Sequence, residues 1–164
     1  MKKEGFDFDD KTIEFGVSDG GWAWGTSMFD FDNDGDLDIA LVNGFDFPGS
    51  TEDLLATESK LFENVLSCTS GRPENQCKNS DDVLRMVENG ESLGFSADKS
   101  KGRGLLTFDY DSDGDLDIFV VNNEGRAEFF ENRRGNSMDW LKVKVVDRTS
   151  GSDCLGAMVY LQER

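Results

Sequence analysis

Two nine-residue stretches hold the residues best placed to do chemistry. They are Asp30-Phe31-Asp32-Asn33-Asp34-Gly35-Asp36-Leu37-Asp38 and Asp109-Tyr110-Asp111-Ser112-Asp113-Gly114-Asp115-Leu116-Asp117. Each carries five carboxylates at alternate positions. A pair of like charges 6 Å apart costs roughly 1 to 3 kcal/mol between the dielectric of water and that of a protein surface. Clusters this dense call for a neutralising cation. Hard oxygens with glycine at the sixth place, where the chain turns sharply, suit Ca²⁺, which takes roughly six to eight oxygen ligands. Mg²⁺ and Mn²⁺ fit less well, since Mg²⁺ keeps more water and a tighter octahedral shell.

Asp-x-Asp-x-Asp-Gly also opens an EF-hand loop, whose twelfth position is a bidentate Glu. Here the twelfth residues are Leu41 and Val120, and an apolar, strand-like segment follows each loop. The EF-hand is excluded. In its place stands an Asp at position nine, Asp38 or Asp117, able to supply a closing carboxylate. We expect side-chain ligation by Asp30, Asp32, Asp34 and Asp38, with Asp36 contributing its backbone carbonyl. The second site uses Asp109, Asp111, Asp113, Asp115 and Asp117 by the same count. Gly35 and Gly114 serve the backbone, and Asn33 and Ser112 point away from the ion. The metal-free alternative is an acidic hairpin, since Asn33-Asp34-Gly35 and Ser112-Asp113-Gly114 make good turns unaided. No turn needs five acids, twice.

The segments around the loops repeat as well. Trp24-Gly25-Thr26-Ser27-Met28-Phe29 matches Arg103-Gly104-Leu105-Leu106-Thr107-Phe108, and Ile39-Ala40-Leu41-Val42-Asn43 matches Ile118-Phe119-Val120-Val121-Asn122, at an offset of 79 residues. Leu61-Phe62-Glu63-Asn64 echoes Phe129-Phe130-Glu131-Asn132 at 68, so the first copy carries about 11 extra residues around 47–53. An internal repeat follows. Short β-branched and aromatic runs bounded by turn residues predict strands at 27–29, 39–42 and 60–65, with 106–108, 118–121 and 127–132 in the second copy. A fourth strand is expected before each copy, at 8–15 and 83–88. The fold class is therefore all-β, with β-propeller-type four-stranded blades. Two blades leave large faces uncovered, which points to a larger propeller or an assembly. Alternation in residues 140–146, with another strand at 156–161, predicts a β-hairpin segment at the end.

Composition bounds the rest. The 164 residues include 34 acidic and 17 basic side chains and no histidine, for a net charge of −17. Two divalent ions, +4 in all, would leave −13. Nucleic acid and anionic membranes need a basic footprint, so neither is expected as a partner. No apolar run approaches the roughly 20 residues of a membrane span. Without histidine, no His-based triad or His-ligated catalytic metal can operate. Cys68 and Cys77 flank a polar loop, and a disulfide between them is expected over two unpaired thiols; Zn²⁺ is a poor fit without His or a CxxC spacing. Cys154 is then either buried as a small apolar residue or paired with chain outside these 164 residues.

Phe29 to Ile39 and its second copy resemble the calcium loops of FG-GAP/VCBS repeats, the propeller blades of integrin α-subunit heads. Phe15-Gly16-Val17, Gly21-Trp22-Ala23-Trp24-Gly25 and Leu61-Phe62-Glu63-Asn64 further resemble the repeats of the cartilage acidic protein type. In that family an ASPIC/UnbV-type segment follows the propeller, and Trp140-Leu141-Lys142-Val143-Lys144-Val145 with Gly156-Ala157-Met158-Val159 is similar to its start. The resemblance implies a first repeat at 6–65, a Cys-flanked insertion at 66–82, a second repeat at 83–133 and an ASPIC/UnbV-like β segment at 136–164. It implies a secreted or surface-displayed, non-enzymatic protein whose two Ca²⁺ ions stiffen blades for adhesion. The partner would be a protein, extracellular matrix or glycan, or further copies or subunits. Two rivals are a carboxylate-dependent glycan-active enzyme and a glycan-binding module using Trp22 and Trp24, although Trp24 is expected in the core.

Overall fold

The structure, a computed structural model, describes residues 8–45, 58–67, 83–97, 100–138 and 140–160. Cys68, Cys77 and the extra residues around 47–53 lie outside them, as do residues 161–164. A four-residue helix, α1 (Thr12–Phe15), precedes the first hairpin, β1 (Gly25–Phe29) and β2 (Asp38–Val42). β3 (Lys60–Ser67) and β4 (Val83–Glu88) complete an antiparallel sheet of order β1-β2-β3-β4. β5 (Gly102–Phe108), β6 (Asp117–Asn122) and β7 (Glu128–Phe130) form a second antiparallel sheet in sequence order. The chain is all-β, as expected, with two sheets in place of two matched four-stranded units. Each acidic loop joins the first two strands of its sheet, with Phe29 opposite Asp38 and Phe108 opposite Asp117.

Three expectations change. Residues 8–15 form no strand: the Asp10 carboxylate accepts the Thr12 N–H at 3.0 Å, and Gly16 at φ 79° closes the turn. A local Asp turn and a left-handed C-terminal glycine outweigh β propensity there. Residues 83–88 are a strand, but it pairs with β3, from Phe62 opposite Glu88 to Ser67 opposite Val83. It completes the first sheet, not the second. The alternation in 140–146 gains a single bridge, Val146 to Asp153, closed by an Asp147 carboxylate that accepts the N–H groups of Thr149 and Ser150 at 2.8 and 2.7 Å. Residues 156–160 add no strand. Leu155, Met158 and Tyr160 are exposed, so no apolar surface backs a longer hairpin, and a lone two-stranded ribbon is marginal in water.

Residues directly opposite across antiparallel strands share a face of the sheet. Phe29, Ala40, Val42 and Leu61 thus lie on one side of the first sheet, and they are buried against Ile118 and Val120 of the second, with Leu105, Leu116 and Phe130 packed around them. β1 and β2 both lie against β5. Ser27 and Thr107 meet between the sheets, their hydroxyls 3.2 Å apart. The approach is close: a Cβ on Gly102 would stand 2.5 Å from Val42 Cβ. A 3-10 turn at Phe95–Ala97 adds Phe95, whose ring meets Phe130 edge-on at 5.2 Å.

Candidate metal centres

Both loops run through two left-handed positions, Asn33 and Gly35 at φ 57° and 99°, Ser112 and Gly114 at 67° and 96°. Glycine at the sixth place was expected; the left-handed fourth place was not. The bends bring three carboxylates of each loop together. One carboxylate oxygen from each of Asp30, Asp32 and Asp38 lies within 4.8 Å of the others, and Asp109, Asp111 and Asp113 form a similar group. Both triads could hold a metal ion. Asp34 and Asp36 lie outside the first triad, and Asp115 and Asp117 outside the second. The Asp30 oxygens accept the N–H groups of Asp34 and Gly35 at 3.1 and 3.0 Å, while Asp34 accepts that of Asp36 at 3.0 Å.

The ninth position does more than close a ring of ligands. Asp38, 1% exposed, accepts the Phe31 N–H at 2.9 Å and the Asn64 N–H at 2.7 Å. Asp117, equally buried, accepts those of Tyr110 and Asn132 at 3.1 and 2.8 Å. In return the Asn64 amide donates to Leu37 O at 3.3 Å, and that of Asn132 to Leu116 O at 3.2 Å. The first loop is thereby tied to β3, and the second to the segment just past β7. The signal for these asparagines was the repeated Phe-Glu-Asn echo, whose role the loop pattern alone did not suggest.

The two loops also touch. Asn33 donates to Gly114 O and Gly135 O at 3.3 and 3.2 Å, so it does point away from its own loop. Asn132 reaches Phe31 O at 2.5 Å. Arg134 pairs with Glu63 at 2.6 Å and Asp32 at 3.4 Å, its guanidinium 5.2 Å from the centre of the Phe31 ring. In the second loop the Asn136 amide donates to Asp113 at 2.7 Å, and Lys142 stands 3.5 Å from Asp109. Trp140 lies over Gly114, where a Cβ would come within 2.1 Å of the indole.

Does a cation fit this donor set? Asp115 is fully buried and neither of its oxygens makes a well-formed hydrogen bond, the Asn136 N–H being the backbone donor that bears on it; Asp32, Asp36 and Asp109 each bury one oxygen that makes none. Buried polar atoms without partners are costly, and a group of ionised oxygens more so. Burial, then the neighbouring Asp34, Asp32 and Asp30 charges, push Asp36 up to about 6. Burial lifts Asp38 to about 6 against the pull of the Asn64 and Phe31 N–H groups. Burial, with Asp113 and Asp117 beside it, lifts Asp115 to about 6 against the pull of the Asn136 N–H. Asp32 is raised chiefly by burial, with Arg134 opposing. Near neutral pH these carboxylates are held as charges at a cost that a hard cation would remove.

The other candidates stand apart from the loops. Trp24 is half-exposed rather than core: it stacks on Phe45 at 6.4 Å and carries the Arg103 guanidinium 4.5 Å from its ring centre, while Trp22 stacks on Phe45 at 4.8 Å. Cys154 is exposed, so it is not a small core residue. No family model, no curated protein and no solved structure matches this chain.

Proposed function

We propose that the chain binds two calcium ions, one in each acidic loop, and that they stiffen propeller-type repeats presenting an extracellular surface to a protein, matrix or glycan. The observation that carries this reading is the set of buried carboxylate oxygens that make no well-formed hydrogen bond, centred on Asp115 and on Asp32 with Asp36. All donors are carboxylate or carbonyl oxygens, the ligands of a hard cation. Each loop joins two strands of one sheet, none of its five aspartates lines the groove between the sheets, and each loop is tied by Asp38 or Asp117 into its sheet, which favours a structural ion. The resemblance to FG-GAP/VCBS repeats supports the secreted, adhesive setting and the absence of catalysis. The groove between the sheets speaks against a paired-carboxylate hydrolase, since Glu131 is the one carboxylate on its otherwise apolar and Asn/Arg-bearing wall among the described residues.

The test is a melt in calcium and in chelator. Calcium is expected to raise the melting temperature by many degrees, and Asp34→Asn with Asp113→Asn to remove most of that gain. An unchanged melt in chelator rejects the reading.

One observation favours a second reading, glycan binding. The stacked Trp22, Phe45 and Trp24 rings offer a half-exposed aromatic platform, its Trp24 end held by an Arg103 guanidinium that also donates to Gly44 O at 2.6 Å. Sugar binding that disappears in Trp22→Ala, with the calcium response intact, would place a ligand there.

A further inference from the structure

We propose that copies of this chain associate head to tail, the outer face of the β5-β6-β7 sheet of one copy seating on the Met28 and Leu37 side of the first hairpin in the next. The inference rests on the repeat and its internal interface, not on the calcium reading. Within the chain, the side of the first sheet that holds Phe29, Ala40, Val42 and Leu61 is covered by the second sheet. Seventy-nine residues later the same side of the second sheet holds Phe108, Phe119 and Val121, with Phe129 opposite Phe119. There it faces solvent. Leu106 is 60% exposed, Phe108 42%, Val121 46% and Phe129 43%. Phe31, buried in its loop, has Tyr110 as counterpart, half-exposed with its ring edge-on to Phe129 at 4.8 Å.

The complementary side identifies the occupant. In the chain, Leu116 packs into the core beneath the first loop. Its counterpart Leu37 is 51% exposed. Ser27 meets Thr107 between the sheets. Shifted one repeat onward, that pair becomes Leu106 of one copy and Met28 of the next. Both are apolar, and both are exposed, at 60% and 61%. A surface and its complement thus lie on opposite ends of one chain, each open where its internal twin is closed. Leu41 and Phe62 on that same side are already buried, so the contact centres on β1 and the loop end rather than on β3. A contact between unlike faces propagates, giving closed rings or open filaments.

Light scattering on the full chain over a concentration series tests this, in salt high enough to screen the −17 charge. The mass should rise with concentration in steps of one chain. Leu106→Lys and Met28→Lys should each weaken association at least tenfold, whereas Leu155→Lys, at a 96% exposed position, should not. Because each lysine variant keeps one good face, mixing the two should give a one-to-one dimer and nothing larger. Should a lysine lower the melting temperature, Leu106→Thr and Met28→Thr place there the kind of hydroxyl that Ser27 and Thr107 already carry, and should weaken association likewise. A chain that stays monomeric throughout overturns the proposal. So does a dimer lost in Leu106→Lys, retained in Met28→Lys and not rescued by mixing, which is a face-to-face pair, and so does association that neither substitution weakens.

Discussion

Asp38 accepts the backbone N–H of Asn64 at 2.7 Å through one carboxylate oxygen, while the other takes that of Phe31 at 2.9 Å. The acid that closes the loop in sequence is, in space, the bolt between that loop and the strand beyond it. Asp117 and Asn132 repeat the bond at 2.8 Å. This gives the ninth position a role without metal.

Asp38→Ala and Asp117→Ala should therefore each cost about 2 to 5 kcal/mol in urea unfolding even in chelator, since two N–H groups lose a charged acceptor in a buried site. Asp34→Ala, at an exposed position, should cost under about 1 kcal/mol in chelator. Equal losses would reduce Asp38 to one ligand among five.

Gly35 and Gly114 share a left-handed backbone but not a neighbourhood. A Cβ on Gly35 meets nothing within 4 Å, while one on Gly114 would overlap Trp140. Gly35→Ala should cost about 1 kcal/mol from backbone strain alone. Gly114→Ala should cost more, and Trp140→Ala should bring it back toward the Gly35 value. Thermal melts of the three variants and the double variant decide this.

The hairpins were legible in the sequence because loop and strands speak locally: five acids, a glycine and an apolar outgoing run fix Asp30 to Val42 and Asp109 to Asn122. The partner of β4 was not. Val83 to Glu88 reads as a strand either way, and which sheet takes it depends on pairing with Lys60 to Ser67 across a long insertion, which no local pattern encodes. The helix at Thr12 was hidden by aromatic and β-branched residues that suit a strand, against which the Asp10 acceptor for the Thr12 N–H and the left-handed Gly16 set the local turn. In the site, the acids were visible and their asymmetry was not. Arg134 reaches Asp32 from 102 residues away, a contact that exists only because the second sheet ends beside the first loop.

That arginine gives a prediction of its own. It stands as a fixed cation beside Asp32 and Glu63. Arg134→Gln should lower the melting temperature in chelator and tighten calcium binding at the first loop about three- to tenfold, a change of about 0.7 to 1.4 kcal/mol. Calorimetric titration reads both loops, and the second should be unmoved. Weaker binding at the first loop would mean that Arg134 shapes the site more than it competes there.

The pH dependence should change sign with metal. Asp36, Asp38 and Asp115 have folded values raised to about 6, above the ordinary 3.8. The metal-free fold then binds more protons than the unfolded chain between those limits, so its stability is full below about pH 4 on this account and falls as pH rises through 6. With calcium present the ion replaces the protons, and stability should rise over the same range. Melting curves from pH 4 to pH 7, with calcium and with chelator, should diverge upward in pH. Parallel curves would mean that these carboxylates do not face the ion.

Counting bound calcium is the most direct measurement of all. Equilibrium dialysis of the full chain, with and without Asp32→Asn plus Asp36→Asn, and separately Asp115→Asn, should find two ions per chain, falling to one when either loop is altered. No calcium taken up, or uptake that survives substitutions in both loops, would contradict the assignment.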